Sequence, residues 1–224
     1  MVKRGVFFAL VLVFAIWKSS LLPAQGIWGY WNAGSLPART LELGLAIHPK
    51  NEDWLTIHTG LGYTLNGGYY FPKKTDCNTE LKNGGTFIRL GARNSLTSDH
   101  HEDHLFWGID ALFIGYRESA IDRCDADEPG KAVESKGKAF GGLLEAGYAW
   151  NISKRSHTSR VFLDLGIRAG APLYNSAPFL GSLNYLPGIG FGKSGSRGFN
   201  IAPVARFRVE LWHGRYGHYK IGKV

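Results

Sequence analysis

The sequence predicts an all-β protein, an antiparallel up-and-down transmembrane β-barrel of eight strands. Apolar and polar residues alternate strictly through several segments, among them 160–169 and 199–211. A period of two indicates antiparallel strands with one apolar and one polar face. The polar face is rich in glycine and arginine and lacks lysine, which suits a crowded interior better than a water-facing sheet. These observations favour a barrel that is apolar toward lipid and polar within.

The first 24 residues have the character of an export signal. Lys3 and Arg4 precede an apolar run of about a dozen residues, and Ala24 offers a cleavage site. A transmembrane anchor is the alternative, but a spanning helix needs about 20 apolar residues and this run is shorter. We therefore expect residues 1–24 to be a cleaved signal peptide and residues 25–224 to form an outer-membrane barrel with long loops on the outer rim.

Charge narrows the classes of partner. The chain of 224 residues has a formal charge of +8, and loss of Lys3, Arg4 and Lys18 with the leader lowers it to +5. An exported protein does not meet nucleic acid, so we expect no nucleic-acid partner. The remaining lysines lie mostly in predicted turns and loops. Attraction to anionic lipid head groups and plain solubility are both open explanations for them.

Eight strands are predicted, joined by connections of alternating length. Long connections are expected at 66–85, 119–137 and 172–198, and short turns between the other strands, as in barrels whose long loops face outside. Ten strands are an alternative, if 183–191 and 215–224 also form strands. The eight predicted strands are Ile27–Ala33, Thr40–His48, Trp54–Leu65, Thr86–Leu96, Leu105–Glu118, Lys138–Asn151, Arg160–Ala171 and Phe199–Trp212.

The inward positions of these strands hold a balanced set of charges. Arginine pairs bidentately with carboxylates, and buried charges need such partners. Because an eight-stranded barrel is just wide enough for its own side chains, the expected result is a salt-bridged plug. The predicted interior network comprises Glu42, Arg89, Arg93, Asp110, Glu145, Asp164, Arg168, Arg206, Arg208 and Glu210.

Aromatic residues cluster near the predicted strand ends. An interfacial aromatic girdle would produce this pattern, and so would ordinary barrel packing. The residues concerned are Trp28, Tyr30, Trp31, Trp54, Tyr63, Tyr116, Trp150, Tyr174 and Trp212.

Two cysteines follow the predicted leader, Cys77 and Cys124. Each falls in a long connection, and the two connections leave neighbouring hairpins on one rim. An even count in an oxidising compartment favours a disulfide between them, with two free thiols as the alternative.

Several motifs resemble functional sites but have simpler explanations. The run 100–104, His-His-Glu-Asp-His, offers zinc ligand types, but Leu105 stands where a zinc-protease helix needs its second histidine. The run 188–194 resembles a phosphate-binding loop, yet Pro187 occupies the position of its first glycine. The acidic loop with Asp125, Asp127 and Glu128 could hold calcium, but a solvated loop is the simpler explanation.

Catalysis is not predicted from any residue set. His58 is an inward histidine with no neighbouring nucleophile on its strand, so a structural interior role is the simpler interpretation. We therefore predict no cofactor, no metal site and no catalytic residue.

The segments 85–91, 105–119 and 186–201 resemble an uncharacterised Bacteroidota family of small outer-membrane β-barrels. The resemblance covers most of the chain after the leader and rests on short apolar and glycine patterns. It implies a small outer-membrane barrel and supplies no activity, cofactor or catalytic residue. Many such barrels end on an aromatic residue that the assembly machinery reads, whereas this chain ends on Val224.

The sequence thus predicts an integral protein of the cell outer membrane, of structural or surface-interaction type. Expected partners are outer-membrane lipids, the barrel-assembly machinery and a protein or glycan at the outer loops. A lipid-active enzyme, a narrow channel and a soluble secreted barrel with an apolar ligand inside are the alternatives.

Overall fold

The computed structural model describes residues 24–49, 54–72, 78–96, 103–123, 132–153, 160–177, 183–193 and 199–213. In these ranges the chain is built from β-strands and one short 3-10 helix over Ala33–Ala38. The described residues include no helix that is long and apolar enough to cross a membrane. The strands are β1 (Ala24–Asn32), β2 (Thr40–Pro49), β3 (Leu55–Pro72), β4 (Asn78–Ser95), β5 (His104–Arg123), β6 (Ala132–Asn151), β7 (Val161–Asn175), β8 (Leu183–Leu186), β9 (Gly190–Lys193) and β10 (Asn200–His213).

Eight of these strands close into an up-and-down antiparallel barrel, as the sequence predicts. Strands β1 to β7 pair in chain order, and β10 pairs with both β7 and β1. Following paired residues once around the barrel leads from Ile114 back to His104 on the same strand, a shift of ten residues. A stagger of this kind tilts the strands about 35–45° from the barrel axis.

The alternative of ten barrel strands is wrong in its first half. Strands β8 and β9 form a short hairpin that pairs only with the start of β10, at Asn200 and Ile201, among the described residues. This hairpin is an appendage to the barrel wall and does not continue it. The second half, a strand over 215–224, lies outside the described residues.

The predicted long loops at 66–85 and 119–137 are largely strands. β3 and β4 stay paired to Pro72 and Asn78, and β5 and β6 stay paired to Ile121 and Ala132. Four adjacent strands therefore rise above the barrel as one continuous sheet. Alternation disappears from this sheet because its outward positions, such as Arg117, carry polar side chains.

The rim that carries these tall hairpins is called the hairpin rim below, and the opposite one the turn rim. The connections β2–β3, β4–β5 and β6–β7 lie at the turn rim. The sequence predicts short turns at these same three connections. The assignment of the two rims therefore agrees with the prediction for eight strands.

The two faces of the wall have the predicted orientation. On β7, Leu165 and Ile167 point outward and are exposed, whereas Asp164 and Arg168 point inward and are buried. Inward glycines make room for large neighbours: a side chain at Gly44 would collide with the ring of Tyr30, and one at Gly62 with the ring of Phe87. Small inward residues thus allow a narrow barrel to hold aromatic and arginine side chains.

Candidate functional site

The barrel interior is filled in three layers. Next to the turn rim lies an aromatic layer, and next to the hairpin rim lies an apolar layer; buried charged side chains fill the middle. The aromatic layer contains Trp28, Ala46, Phe106, Ala149 and Phe162. The apolar layer contains Phe87, Leu112, Ile114, Tyr116, Ala139, Leu143 and Ile189.

The first part of the charged layer joins β2, β3, β4 and β5. Arg89 binds Glu42 through two nitrogens, with Nη1 2.8 Å from Oε1 and Nη2 3.3 Å from Oε2. Its Nε lies 3.5 Å from Oδ2 of Asp110. His58 Nε2 lies 2.8 Å from Oδ1 of the same carboxylate, and Asn32 donates from Nδ2 to Glu42 at 2.8 Å. Two-pronged guanidinium contacts of this kind fix geometry as well as charge.

Glu145 is the centre of the second part. Its carboxylate accepts from Nη2 of Arg206 at 2.7 and 3.0 Å and from Nη2 of Arg168 at 3.2 Å. Arg168 Nη1 also lies 3.5 Å from Oε2 of Glu42, which connects this part to the first. The network therefore crosses the lumen from β2 to β10 without a break.

Asp164 extends the network toward the turn rim. Its carboxylate lies 2.9 Å from Nε of Arg208 and 2.5 Å from Nη1 of Arg93. A third arginine, Arg206, approaches it with Nη1 at 3.9 Å. One carboxylate thus sits among three guanidinium groups, and its removal would leave those buried cations without their shared partner.

The connected layer contains five arginines and four carboxylates, so one positive charge is left over when all are ionised. Aromatic rings lie against two of these arginines. The guanidinium of Arg93 lies 3.3 Å from the ring centre of Phe106, and that of Arg208 lies 4.8 Å from Phe162. Such contacts stabilise a desolvated cation.

The turn of the β8–β9 hairpin closes the layer from the hairpin rim. The carbonyl of Gly188 accepts from Arg89 Nη2 at 3.1 Å and from Arg168 Nη1 at 3.5 Å. Gly188 has φ +79°, and a Cβ there would lie 2.8 Å from the ring of Phe87. Ile189 beside it is fully buried in the apolar layer. The hairpin turn is therefore seated inside the lumen as a plug.

Nine of the ten residues predicted for the interior network lie in this layer. The exception is Glu210, which points inward near the turn rim, is only half-buried and joins none of the ion pairs described above. The predicted pair Cys77 and Cys124 lies outside the described residues. So do Asp125 and most of the histidine-rich run at 100–104.

The described residues contain no group of three or more His, Cys, Asp or Glu side chains arranged to hold a metal ion. The run 188–194, which resembles a phosphate loop in sequence, supplies the plug through Gly188 and Ile189. His58 and Asp110 form a close pair, but both are buried in the charged layer. The pair links β3 to β5 and has the geometry of a structural contact.

The plug and the β1 side chains were missed by sequence reasoning. A carbonyl acceptor leaves no signature in the sequence, so the contact of Gly188 with two arginines could not have been found. The alternation of β1 could have been used: Trp28, Tyr30 and Asn32 share its inward face and are buried. The aromatic girdle was accordingly wrong for Trp28, Tyr30 and Tyr116, which pack inside.

The outer face of the barrel is apolar over most of its height, with Thr59 as a polar exception near the middle of β3. Through the described barrel strands, outward positions such as Leu43, Ile109, Leu144, Ile167 and Val209 are apolar and exposed, and none is charged until the hairpin rim is passed. Leu144 and Ile167 are each 63% exposed. Exposed apolar area of this extent marks a surface that is covered by something other than water.

The structure defines a class: a closed eight-stranded up-and-down β-barrel with an ion-paired, plugged interior and an apolar exterior. The chain matches no protein-family model, and no curated protein is significantly similar to it. Fold and site geometry therefore carry the functional assignment.

Proposed function

We propose that this protein is an integral outer-membrane β-barrel of structural or surface-interaction type, exported by its cleaved signal peptide. One observation carries the proposal, namely the uncharged apolar outer face combined with a charged interior. A water-soluble barrel has the reverse arrangement, because water rewards polar outer side chains. In lipid the charged groups must be inside and satisfied by one another.

The height of the apolar face supports the proposal. On β5 the outward apolar positions run from Leu105 to Phe113, eight residue steps. At about 3.4 Å per residue this is about 27 Å along the strand, or about 21 Å along the axis for a tilt near 40°. Aromatic residues add a few ångströms at each end, so the face approaches the apolar band of about 25 Å known from membrane barrels.

Exposed aromatic residues border this face at both rims. Near the turn rim these are Trp54, Trp107, Tyr148, Trp150 and Trp212, and near the hairpin rim Trp31, Tyr63 and Tyr174. Amphipathic rings prefer the boundary between acyl chains and head groups. The two belts are consistent with a barrel that spans one bilayer.

The interior favours a structural or interaction role over transport. A channel would need a continuous wet path, whereas the charged layer is cross-linked from β2 to β10 and the plug covers it. A soluble barrel with an apolar ligand inside would have to displace this ion-paired layer. We expect a protein or glycan partner to bind instead at the four-stranded sheet above the hairpin rim, formed by the outer parts of β3 to β6.

Other parts of this assignment rest on the sequence. Export through the leader, insertion by the barrel-assembly machinery and kinship with the Bacteroidota barrel family belong to the proposal. Lipid modification remains an alternative, which altered lipid A mass in a deletion strain would favour. Conductance in planar bilayers would favour the channel.

Cell fractionation combined with gel mobility tests the proposal. We expect the full chain to sediment with the outer membrane, to resist carbonate extraction, and to migrate faster unboiled than boiled. A closed barrel resists detergent unfolding and keeps a compact shape on the gel. Recovery in the soluble periplasm would contradict the proposal.

A further inference from the structure

A cluster of cations lies on the outward face of the wall, immediately above the apolar band. Arg117 on β5 is paired directly with Lys136 on β6, and Lys138 lies two residues further along β6 on the same face, opposite Gly115. All three cationic side chains are exposed. Like charges placed directly opposite each other on a sheet are destabilising, so their juxtaposition calls for an anion.

The register fixes the height of this cluster relative to the apolar face. Phe113 pairs with Phe140, their ring centres 4.9 Å apart, and this aromatic pair ends the apolar band at this side of the barrel. Lys138 lies two residues above it, and Arg117 and Lys136 lie four residues above it. At about 3.4 Å per residue and a tilt near 40°, these steps correspond to about 5 and 10 Å along the axis.

The lower of these heights lies in the head-group region of a bilayer, and the upper one lies just above it. The hydrocarbon core is about 30 Å thick and the whole bilayer about 40–45 Å, which leaves roughly 5–8 Å of polar region on each side. Lys138 falls within that region. Arg117 and Lys136 lie just above it, within the reach of a long cationic side chain.

One carboxylate moderates the cluster. Glu134 lies on the same outward face and accepts from Nη2 of Arg117 at 2.8 and 2.9 Å. This hydrogen bond lowers the pKa of Glu134, so the carboxylate is ionised at neutral pH. Three cations against one anion leave a surplus of positive charge, carried mainly by Lys136 and Lys138.

We propose that Arg117, Lys136 and Lys138 form a docking site for the phosphate groups of lipids in the leaflet at the hairpin rim. The inference rests on the proposed function, because only a barrel embedded in lipid brings phosphates to this height. Lysine binds phosphate as a point charge, and arginine binds it with a planar fork. In this site the lipid phosphate contacts the cations above Phe113, and the acyl chains lie lower, against the apolar wall.

Two lipids that differ only in phosphate provide the test. The full chain, folded in neutral detergent, is titrated with diphosphorylated lipid A and with its dephosphorylated form, with native mass spectrometry as readout. We expect the wild type to prefer the phosphorylated lipid. The double variant Lys136→Gln, Lys138→Gln should lose about 30-fold in affinity for it at low ionic strength.

Two further variants separate the site from general charge effects. Lys50→Gln, Lys154→Gln removes the same charge at positions that follow β2 and β6 in the sequence, and it should bind like the wild type. Glu134→Gln releases Arg117 and should bind phosphorylated lipid about 5-fold more tightly. A purely structural role for the cluster would not produce this gain.

Equal binding of the two lipids, or equal affinity of the double variant and wild type, would overturn the docking site while leaving the membrane assignment intact. Displacement of the lipid by low-millimolar inorganic phosphate would assign the site to free phosphate and would overturn the proposal that it binds lipid. Folding is checked separately by heat-dependent gel mobility in zwitterionic lipid. If the mobility of the chain does not depend on heating, the membrane assignment fails and the docking site fails with it.

Discussion

At the scale of single residues, the barrel interior depends on a few buried groups that each bind more than one arginine. The carboxylate of Glu145 holds two arginines, and the carbonyl of Gly188 holds two, of which Arg168 is common to both. Removing one partner from a buried ion network leaves the others desolvated and uncompensated. Residue-level changes in this layer therefore have effects that the same chemistry at the surface does not have.

Glu145→Gln should destabilise the folded barrel by about 3–5 kcal/mol, because the buried layer then carries an additional uncompensated positive charge. The measurement is a denaturant titration in lipid vesicles, followed by gel mobility. Glu134→Gln is the matched control, since the ion pair of Glu134 with Arg117 is exposed and lies outside the buried layer. Equal loss of stability in both variants would contradict the role assigned to the charged layer.

Gly188→Ala should destabilise the barrel by about 1–3 kcal/mol, because a left-handed backbone disfavours a Cβ and the added methyl meets Phe87 and Leu112. Gly142→Ala is the control. A Cβ at Gly142 meets only Leu173, at an ordinary 3.9 Å. The midpoint temperature of the gel-mobility shift distinguishes the two variants, and an unchanged midpoint for Gly188→Ala would show that the plug turn adopts another conformation.

At the scale of elements, the sequence determined strand order and face orientation better than strand length. Alternation is strong where the wall is apolar outside and polar within, so Leu165–Arg168 on β7 could be oriented from sequence alone. Above the hairpin rim outward positions such as Lys82, Arg117 and Lys136 are polar, and the continuation of β3 to β6 left no periodic signal. The plug was also beyond prediction, since Gly188 acts through its backbone carbonyl.

The same reasoning explains what could be predicted of the interior. The charge types and their inward positions follow from parity, which places nine of ten residues in the layer. Which arginine pairs with which carboxylate does not follow from the alternation of inward and outward positions. It depends on the ten-residue stagger around the barrel. Glu210 shows the limit, since its position near the strand end leaves it half-buried beside the turn rim.

The extended hairpins bear on the predicted disulfide. Asn78 at the start of β4 pairs with Arg123 at the end of β5. Cys77 and Cys124 are the next residues in the chain beyond this pair, outside the described residues. We predict a disulfide between them, which mass spectrometry of unreduced peptides from the exported protein would detect. Its removal by Cys77→Ser should cost up to about 4 kcal/mol, and two alkylatable thiols in that protein would contradict the prediction.

At the scale of the whole molecule, the three interior layers and the apolar exterior form one consistent arrangement. The wall is inverted relative to a water-soluble barrel, and the ion-paired centre is held between an aromatic layer and a plugged apolar layer. In the proposed outer-membrane orientation, the tall sheet of β3 to β6 and the cationic cluster beneath it lie on the side that faces outward from the cell. Lipid contact with the outer wall is the claim on which these functional inferences depend.

The most direct test of that claim is nitroxide accessibility in vesicles. Labels are placed at Leu43, Ile109 and Ile167, one at a time, in a Cys77→Ser, Cys124→Ser background, with a label at Lys136 as the control. We predict that oxygen, which partitions into acyl chains, reaches the three wall labels, whereas a polar nickel complex reaches only the control. Equal access of the nickel complex to the wall labels would contradict a lipid-facing wall.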